Sequence, residues 1–306
     1  MKTKLYLCFD VGGTNVKYGL LTAEGKFINK SSYPTRKETA EQFIDDMVNV
    51  INEITTTNQI EKIAISFPGF IDPSTGYAAL AGAIDVLDGT NIITLLNQKT
   101  TLPIIIENDA NCATLAEKHS GNAINCDDFI CMTIGTGIGG GIFINGDILH
   151  GHAFQAGEFG LMTVNGLDDG YQNLHDIAST SALINNYKKI KKIDIKTLIE
   201  GEKVFEDARI DPEVEAMLDR WFSYVSAGVF NLVATLNPEK ILIGGAISVR
   251  EDLYERINDK LNQIYNWKDI KVPIEACYHH NNAGLLGALY QAVQSDQKNQ
   301  IKEELN

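Results

Sequence analysis

No stretch of about 18 or more apolar residues occurs in this 306-residue chain, which excludes a membrane-spanning helix. The first apolar run, Leu5 to Phe9, is cut by Asp10 and is too short for the uncharged core of a signal peptide. Basic residues are scarce: 26 Lys and Arg stand against 40 Asp and Glu, a formal charge of −14. A chain with no basic face has nothing to neutralise nucleic-acid phosphates, so no nucleic-acid partner is expected, and the acidic balance favours solubility. The cysteines (Cys8, Cys112, Cys126, Cys131 and Cys277) are odd in number and lack a Cys-x-x-Cys pair. Several sit inside apolar runs, which suits reduced, buried thiols of a cytoplasmic protein. No Gly-x-x-x-x-Gly-Lys-Ser/Thr is present, so there is no P-loop.

What is present suits about two domains, since domains usually run to roughly 100–200 residues. A hydrophobic share of 44% with 22% charged residues supplies cores that need no disulfide or metal. Apolar strands at Leu5–Phe9 and Val16–Leu21 flank Asp10-Val-Gly-Gly-Thr14, and a turn at Glu24-Gly25 leads to a third strand near Phe27. The opening recurs at Phe129–Ile134, Gly135-Thr-Gly-Ile-Gly-Gly-Gly141, Ile142–Ile144 and the hairpin turn Asn145-Gly146. Duplication of one supersecondary unit explains the repeat, against coincidence between two short hairpins. Buried strands are expected at Ile63–Ser66, Pro103–Ile106 and Lys240–Ile243, with helices over 39–53, from Ala110 and over 213–236. In the last, Met217, Leu218, Trp221, Phe222, Val225, Val229, Phe230, Leu232 and Val233 face inward. Ala283-Gly-Leu-Leu-Gly-Ala-Leu-Tyr290 reads as a small-residue helix, with a frayed tail after Ser295.

Three glycine turns follow apolar strands: Gly12-Gly13, Gly135 to Gly141, and Gly244-Gly245. Glycine lets backbone N–H groups approach an anion, so the set reads as a phosphate clamp, against the plainer reading of ordinary turn glycines. Gly135-Thr-Gly137-Ile-Gly-Gly140 has the letters of a dinucleotide fingerprint, but β-formers and Asn145-Gly146 follow where that motif needs a helix. Asp10 beside a phosphate nest would be repelled by a nucleotide unless Mg²⁺ intervened, held through water; otherwise it only initiates a turn. Gly12, Gly13, Thr14, Gly135, Thr136, Gly137, Gly139, Gly244 and Gly245 are the candidate phosphate groups. Lys17 either adds a charge there or is a solvated strand residue. Glu107-Asn108-Asp109 ends another strand, where α/β proteins place working groups. Asp109 suits a general base toward a sugar hydroxyl, worth about 10²–10⁴ in rate, or else it or Asn108 merely caps a helix.

Asp10-Val-Gly-Gly-Thr-Asn-Val-Lys17, Glu107-Asn-Asp-Ala-Asn-Cys-Ala113, Ile134-Gly-Thr-Gly-Ile-Gly-Gly-Gly141 and Ala156-Gly-Glu-Phe-Gly160 together resemble the ROK family of sugar kinases. Gly244-Gly245 and Ala283-Gly-Leu-Leu-Gly287 extend the resemblance over nearly the whole chain. It implies an α/β fold of the actin-like, hexokinase/ribonuclease H-like ATPase type, two lobes with ATP and Mg²⁺ in the interdomain cleft. The expected lobes are 1–118 with 289–306, and 119–288. The resemblance further implies Asp109 as catalytic base and Gly69, Asn108, Asp109 and Glu158 as sugar ligands. Family members are often dimers, which makes a homodimer the expected assembly.

The departures from the family pattern are coherent. Members commonly read Glu-x-Gly-His and then carry a cysteine-rich zinc loop. This chain has Glu158-Phe-Gly-Leu161, and Val164 to Asp176 holds no cysteine, so no zinc is expected. His150 and His152 with Cys126 and Cys131 match no zinc spacing either. His175 falls where the family places a second sugar-binding Glu, and it either contacts sugar or is a surface histidine. Leu161 in place of the histidine greases the pocket near the sugar's O1–O2 side, which would tolerate an aglycone or second sugar. The chain looks most like the zinc-less β-glucoside kinases; N-acetylmannosamine kinase and glucokinase are the alternatives within the family. The family also contains repressors, but only nine residues precede Asp10. A sensor that binds without turnover is the remaining non-enzymatic alternative.

Overall fold

In the computed structural model, residues 3–166 and 170–304 are described, with side chains through Gln297. The chain divides into two compact units: residues 1–124, 148–156 and 281–306, and residues 125–147 and 157–280. These divisions differ from the expected 118/119 and 288/289. Residues 148–156 leave the second unit's run of chain to join the first.

The first unit begins with β1 (Leu5–Val11), β2 (Asn15–Thr22) and β3 (Phe27–Pro34), an antiparallel meander. Helix α1 (Ala40–Thr55) follows, its N-terminus capped by Thr39, whose hydroxyl accepts the Gln42 N–H. Its buried stripe of Phe43, Ile44, Met47, Val48, Ile51 and Ile54 keeps the 3.6-residue period of a helix lying on a core. Next come β4 (Lys62–Phe67), β5 (Phe70–Asp72), β6 (Tyr77–Leu80), β7 (Thr90–Asn91), α2 (Ile92–Asn97), β8 (Ile104–Asn108) and α3 (Asp109–Ser120). The main sheet runs β3-β2-β1-β4-β8, with β1, β4 and β8 parallel. Strands covered on both faces read as continuous apolar runs, as Lys62–Phe67 does from Ile63 to Ile65.

The second unit repeats this plan. Its strands are β9 (Phe129–Ile134), β10 (Ile138–Ile144) and β11 (Asp147–Ile148), followed by α4 (Leu174–Ala178), α5 (Thr180–Lys191), α6 (Gly201–Ala208) and α7 (Pro212–Leu236). Then come β12 (Lys240–Gly244), α8 (Glu251–Leu261), α9 (Trp267–Ile270) and β13 (Ile274–Ala276). The sheet order is β11-β10-β9-β12-β13, again an antiparallel hairpin joined to parallel strands. The glycine turns therefore mark duplication of a whole sheet. Helix α7 starts at Asp211-Pro212, with Asp211 accepting the Glu213 and Val214 N–H groups. Met217 and Phe230, expected inward, are only half-buried at the edges of its apolar stripe.

The chain returns to the first unit as α10 (Ala283–Glu304), packed on α3, β1 and β4. A Cβ on Gly287 would collide with the Cys112 carbonyl, so the small residues do serve close helix packing. The expected fraying after Ser295 does not occur. Asp296 accepts the Tyr6 hydroxyl at 2.7 Å and pairs with Lys62 at 2.6 Å, anchoring the helix beyond that point. Residues 305–306 of the tail lie outside the described residues. All five thiols are buried and outside disulfides, with Cys131 and Cys277 Sγ atoms 3.3 Å apart.

Candidate active site

The parallel strands of the first unit end in one row. Asp10 of β1 stands in register with Ser66 of β4, and Ser66 with Glu107 of β8. Neighbouring strands lie about 4.8 Å apart, so the polar residues closing three apolar strands gather at one sheet edge. The Ser66 hydroxyl donates to Asp10 Oδ1 at 3.2 Å. Lys17, paired with Asp10 across the β1–β2 hairpin, places Nζ 3.1 Å from Oδ2. The Gly12–Thr14 turn is closed by the Gly12 N–H on the Asn15 carbonyl, and Thr35 holds it from outside through the Gly12 and Thr14 carbonyls.

Asn108 caps α3: its Oδ1 accepts the Ala110 and Asn111 N–H groups at 2.9 and 3.0 Å. Its Nδ2 donates to the Gly69 carbonyl at 2.9 Å. Gly69 has φ +94, and a Cβ there would clash with the Leu80 carbonyl, so this turn requires glycine. Asp109, the first helical residue, is exposed and accepts the Ala110 N–H at 2.8 Å. Capping thus belongs chiefly to Asn108, without a capping box, and Asp109 is presented from a rigid strand-to-helix junction.

In the second unit the glycine turn is shorter than expected. It closes at Gly135–Gly137, where the Gly135 N–H donates to the Gly137 carbonyl at 2.8 Å, and residues 138–144 belong to β10. Gly139 stands opposite Thr133 inside the hairpin. Glycine recurs there because the 157–160 loop lies on the strand: a Cβ on Gly140 would meet the Phe159 ring and the Cys131 carbonyl. Gly245, φ +92, follows β12, and a Cβ on it would collide with the Ile134 carbonyl, so the 244–245 turn lies against the end of β9, where the 135–137 turn begins. The first N–H of α5, from Thr180, donates to the Gly135 carbonyl at 2.9 Å, joining a third element. Beside these turns a cavity of about 230 Å³ is lined by Thr180, Leu183, Ile184, Phe205, Ile247 and Arg250. The Arg250 guanidinium stacks 3.7 Å over the Phe205 ring.

His175 lies against the Gly137 backbone, where a Cβ would strike its ring, and its Cβ also approaches Gly160. Burial pushes the Glu158 carboxyl above its ordinary range, and the nearby His175 partly opposes that shift. The structure therefore brings Glu158, His175 and the Gly135–Gly137 turn together within the second unit. Among the described residues no cluster of three or more His, Cys, Asp or Glu is placed to hold a metal. His150 instead meets Glu107 at 2.8 Å, and Cys131 is inside β9; residues 167–169 of the 164–176 stretch lie outside the described residues. Sequence reasoning gave Glu107 no separate role. Its signal was a buried carboxylate directly after the apolar run Ile104–Ile106 of β8.

The chain is 36% identical over 297 residues to a beta-glucoside kinase of Listeria innocua, covering 95% of this chain and 98% of that one. A solved Listeria monocytogenes structure, provisionally named an N-acetylmannosamine kinase, matches with a TM-score of 0.86 at 34% identity, over 95% of this chain and 99% of the other. A ROK glucokinase of Streptomyces griseus, solved with glucose and AMPPNP, matches with a TM-score of 0.75 at 26% identity, over 93% and 98%. These neighbours carry the actin-like ATPase fold. The ROK family model matches residues 6–295, spanning every motif from Asp10 to Gly287, and the chain belongs to the ROK family.

Proposed function

We propose that this ROK sugar kinase transfers the γ-phosphate of ATP to the 6-hydroxyl of a glucosyl sugar, a β-glucoside such as cellobiose. The reading rests above all on the end of β8, where Asn108 is pinned between Gly69 and the start of α3 and Asp109 is exposed beside it. Asp109 takes the proton of the attacking hydroxyl; the sugar oxygen bonds to the γ-phosphorus, the β–γ bridge breaks, and ADP leaves. Asn108 and the Gly69 turn orient the sugar in the first unit, and Glu158 with His175 is the pair the second unit offers as sugar ligands.

The residues present fit the nucleotide. A Cβ built on Gly135 would find no atom outside its immediate chain neighbours nearer than the Gly137 carbonyl at 4.0 Å, so an anion can reach that backbone closely. The adjoining cavity, with apolar walls and the stacked Arg250, suits a planar base. The Asp10 carboxylate also fits Mg²⁺. Lys17 and Ser66 occupy two of its roughly four lone-pair sites, leaving others for water of a hydrated ion. The ion would spread the charge developing on the phosphates.

Support for a β-glucoside comes from Leu161, which is 57% exposed where a polar histidine would bind sugar, and from the beta-glucoside kinase relatives. An ADP-release assay over cellobiose, gentiobiose, arbutin, glucose, N-acetylmannosamine and N-acetylglucosamine tests this. Preference for free glucose over every β-glucoside would overturn the substrate. Asp109→Asn should retain sugar binding while kcat falls by at least about 10². Near-full speed in that variant would remove Asp109 as the base.

A further inference from the structure

Glu107 is 1% exposed, and a buried carboxylate is costly unless its oxygens are satisfied. Its four contacts come from four pieces of the first unit. Oε1 accepts the Asn108 backbone N–H at 2.8 Å and the Asn111 amide of α3 at 3.0 Å. Oε2 meets His150 Nε2 at 2.8 Å and accepts the Gln291 amide of α10 at 3.4 Å. His150 anchors the 148–156 excursion of the chain, which is folded back on itself. The Ala156 N–H donates to the His150 carbonyl at 3.1 Å, and the Phe154 ring, on a backbone with φ +58, stands edge-on to the imidazole.

We propose that Glu107 is a positioning residue, fixing the Asn108–Asp109 junction through one oxygen and latching the 148–156 loop to the first unit through His150 with the other. The inference rests on Asp109 being the base of the proposed transfer. Asn108 has both ends of its amide engaged already, so the Glu107 contact to its backbone N–H removes the remaining freedom of the junction. Small displacements of a catalytic group are expensive: about 1 Å can cost about 10²-fold in rate.

The test compares wild type, Glu107→Gln, His150→Gln and the double variant by steady-state kinetics, thermal unfolding and hydrogen exchange. Each single variant should lower kcat about tenfold to a hundredfold and leave the KM for ATP within about twofold. The double variant should be no slower than Glu107→Gln, because His150 acts through Glu107. Peptides covering 148–156 should exchange faster in all three. A folded variant with kcat within about twofold of wild type, additive losses, or unchanged exchange over 148–156 would overturn the proposal. Should Glu107→Gln fail to fold, His150→Gln alone decides, since its side chain is 26% exposed. A wild-type enzyme inactive on every sugar would instead defeat the functional reading, while the exchange measurement would still decide the latch.

Discussion

Glu158 is held between two opposed influences, burial that favours its neutral form and His175 that favours its charge. With the folded value raised, the carboxyl favours the fold below the ordinary glutamate range. That contribution is lost as pH rises through the raised value. In the proposed role of Glu158 as a sugar ligand, binding runs the other way, because only the ionised carboxylate can accept from two hydroxyls. The sugar KM should therefore climb as pH falls, at a higher pH than an ordinary glutamate would give. Kinetics across pH should show that limb in wild type and lose it in Glu158→Gln. At Gly245 the constraint is steric. Alanine there must take φ +92 and displace the Ile134 carbonyl, so Gly245→Ala should cost about 1–3 kcal/mol by urea unfolding and raise the KM for ATP.

Helix α5 reaches the proposed phosphate turn through its first residue. Ser179 is buried and caps α5 by accepting the Ala182 N–H at 3.0 Å, while Thr180 holds the Gly135 carbonyl. Ser179→Ala should cost about 0.5–2 kcal/mol of stability and also raise the KM for ATP. Thr39→Ala, which removes the comparable cap of α1, should cost a similar amount with the KM unchanged. Urea unfolding beside initial-rate kinetics separates the two outcomes. At this scale the apolar period located α1, α3 and α7 to within one to two residues. It could not find the edges of the α7 stripe, because half-burial of Met217 and Phe230 depends on what packs beside them.

For the molecule as a whole, the chain builds one sheet plan twice and then spends its last helix on the first unit. Leu285, Leu286, Leu289 and Ala292 of α10 share a core with Tyr6, Cys8, Leu21 and Ala64, so the first unit is incomplete without residues from the far end of the chain. Gly287→Ala would force α10 away from Cys112. Overpacking of this kind typically costs about 1–3 kcal/mol, and the thermal midpoint should fall accordingly.

The amino-acid sequence by itself determined the strand–glycine-turn–strand repeats, the carboxylates closing apolar strands and the family, since each is a local pattern of spacing and residue type. Only tertiary structure decided the contacts between distant segments. Glu107 meets His150 from 43 residues away, and Tyr6 reaches Asp296 across 290. It also decided that Gly139 and Gly140 lie in a strand, and that the Phe159 ring of the 157–160 loop folds onto Gly140, where no side chain would fit. Composition and periodicity record what a residue prefers; which partner satisfies a buried carboxylate, or fills the space beside a glycine, is settled when the chain closes on itself.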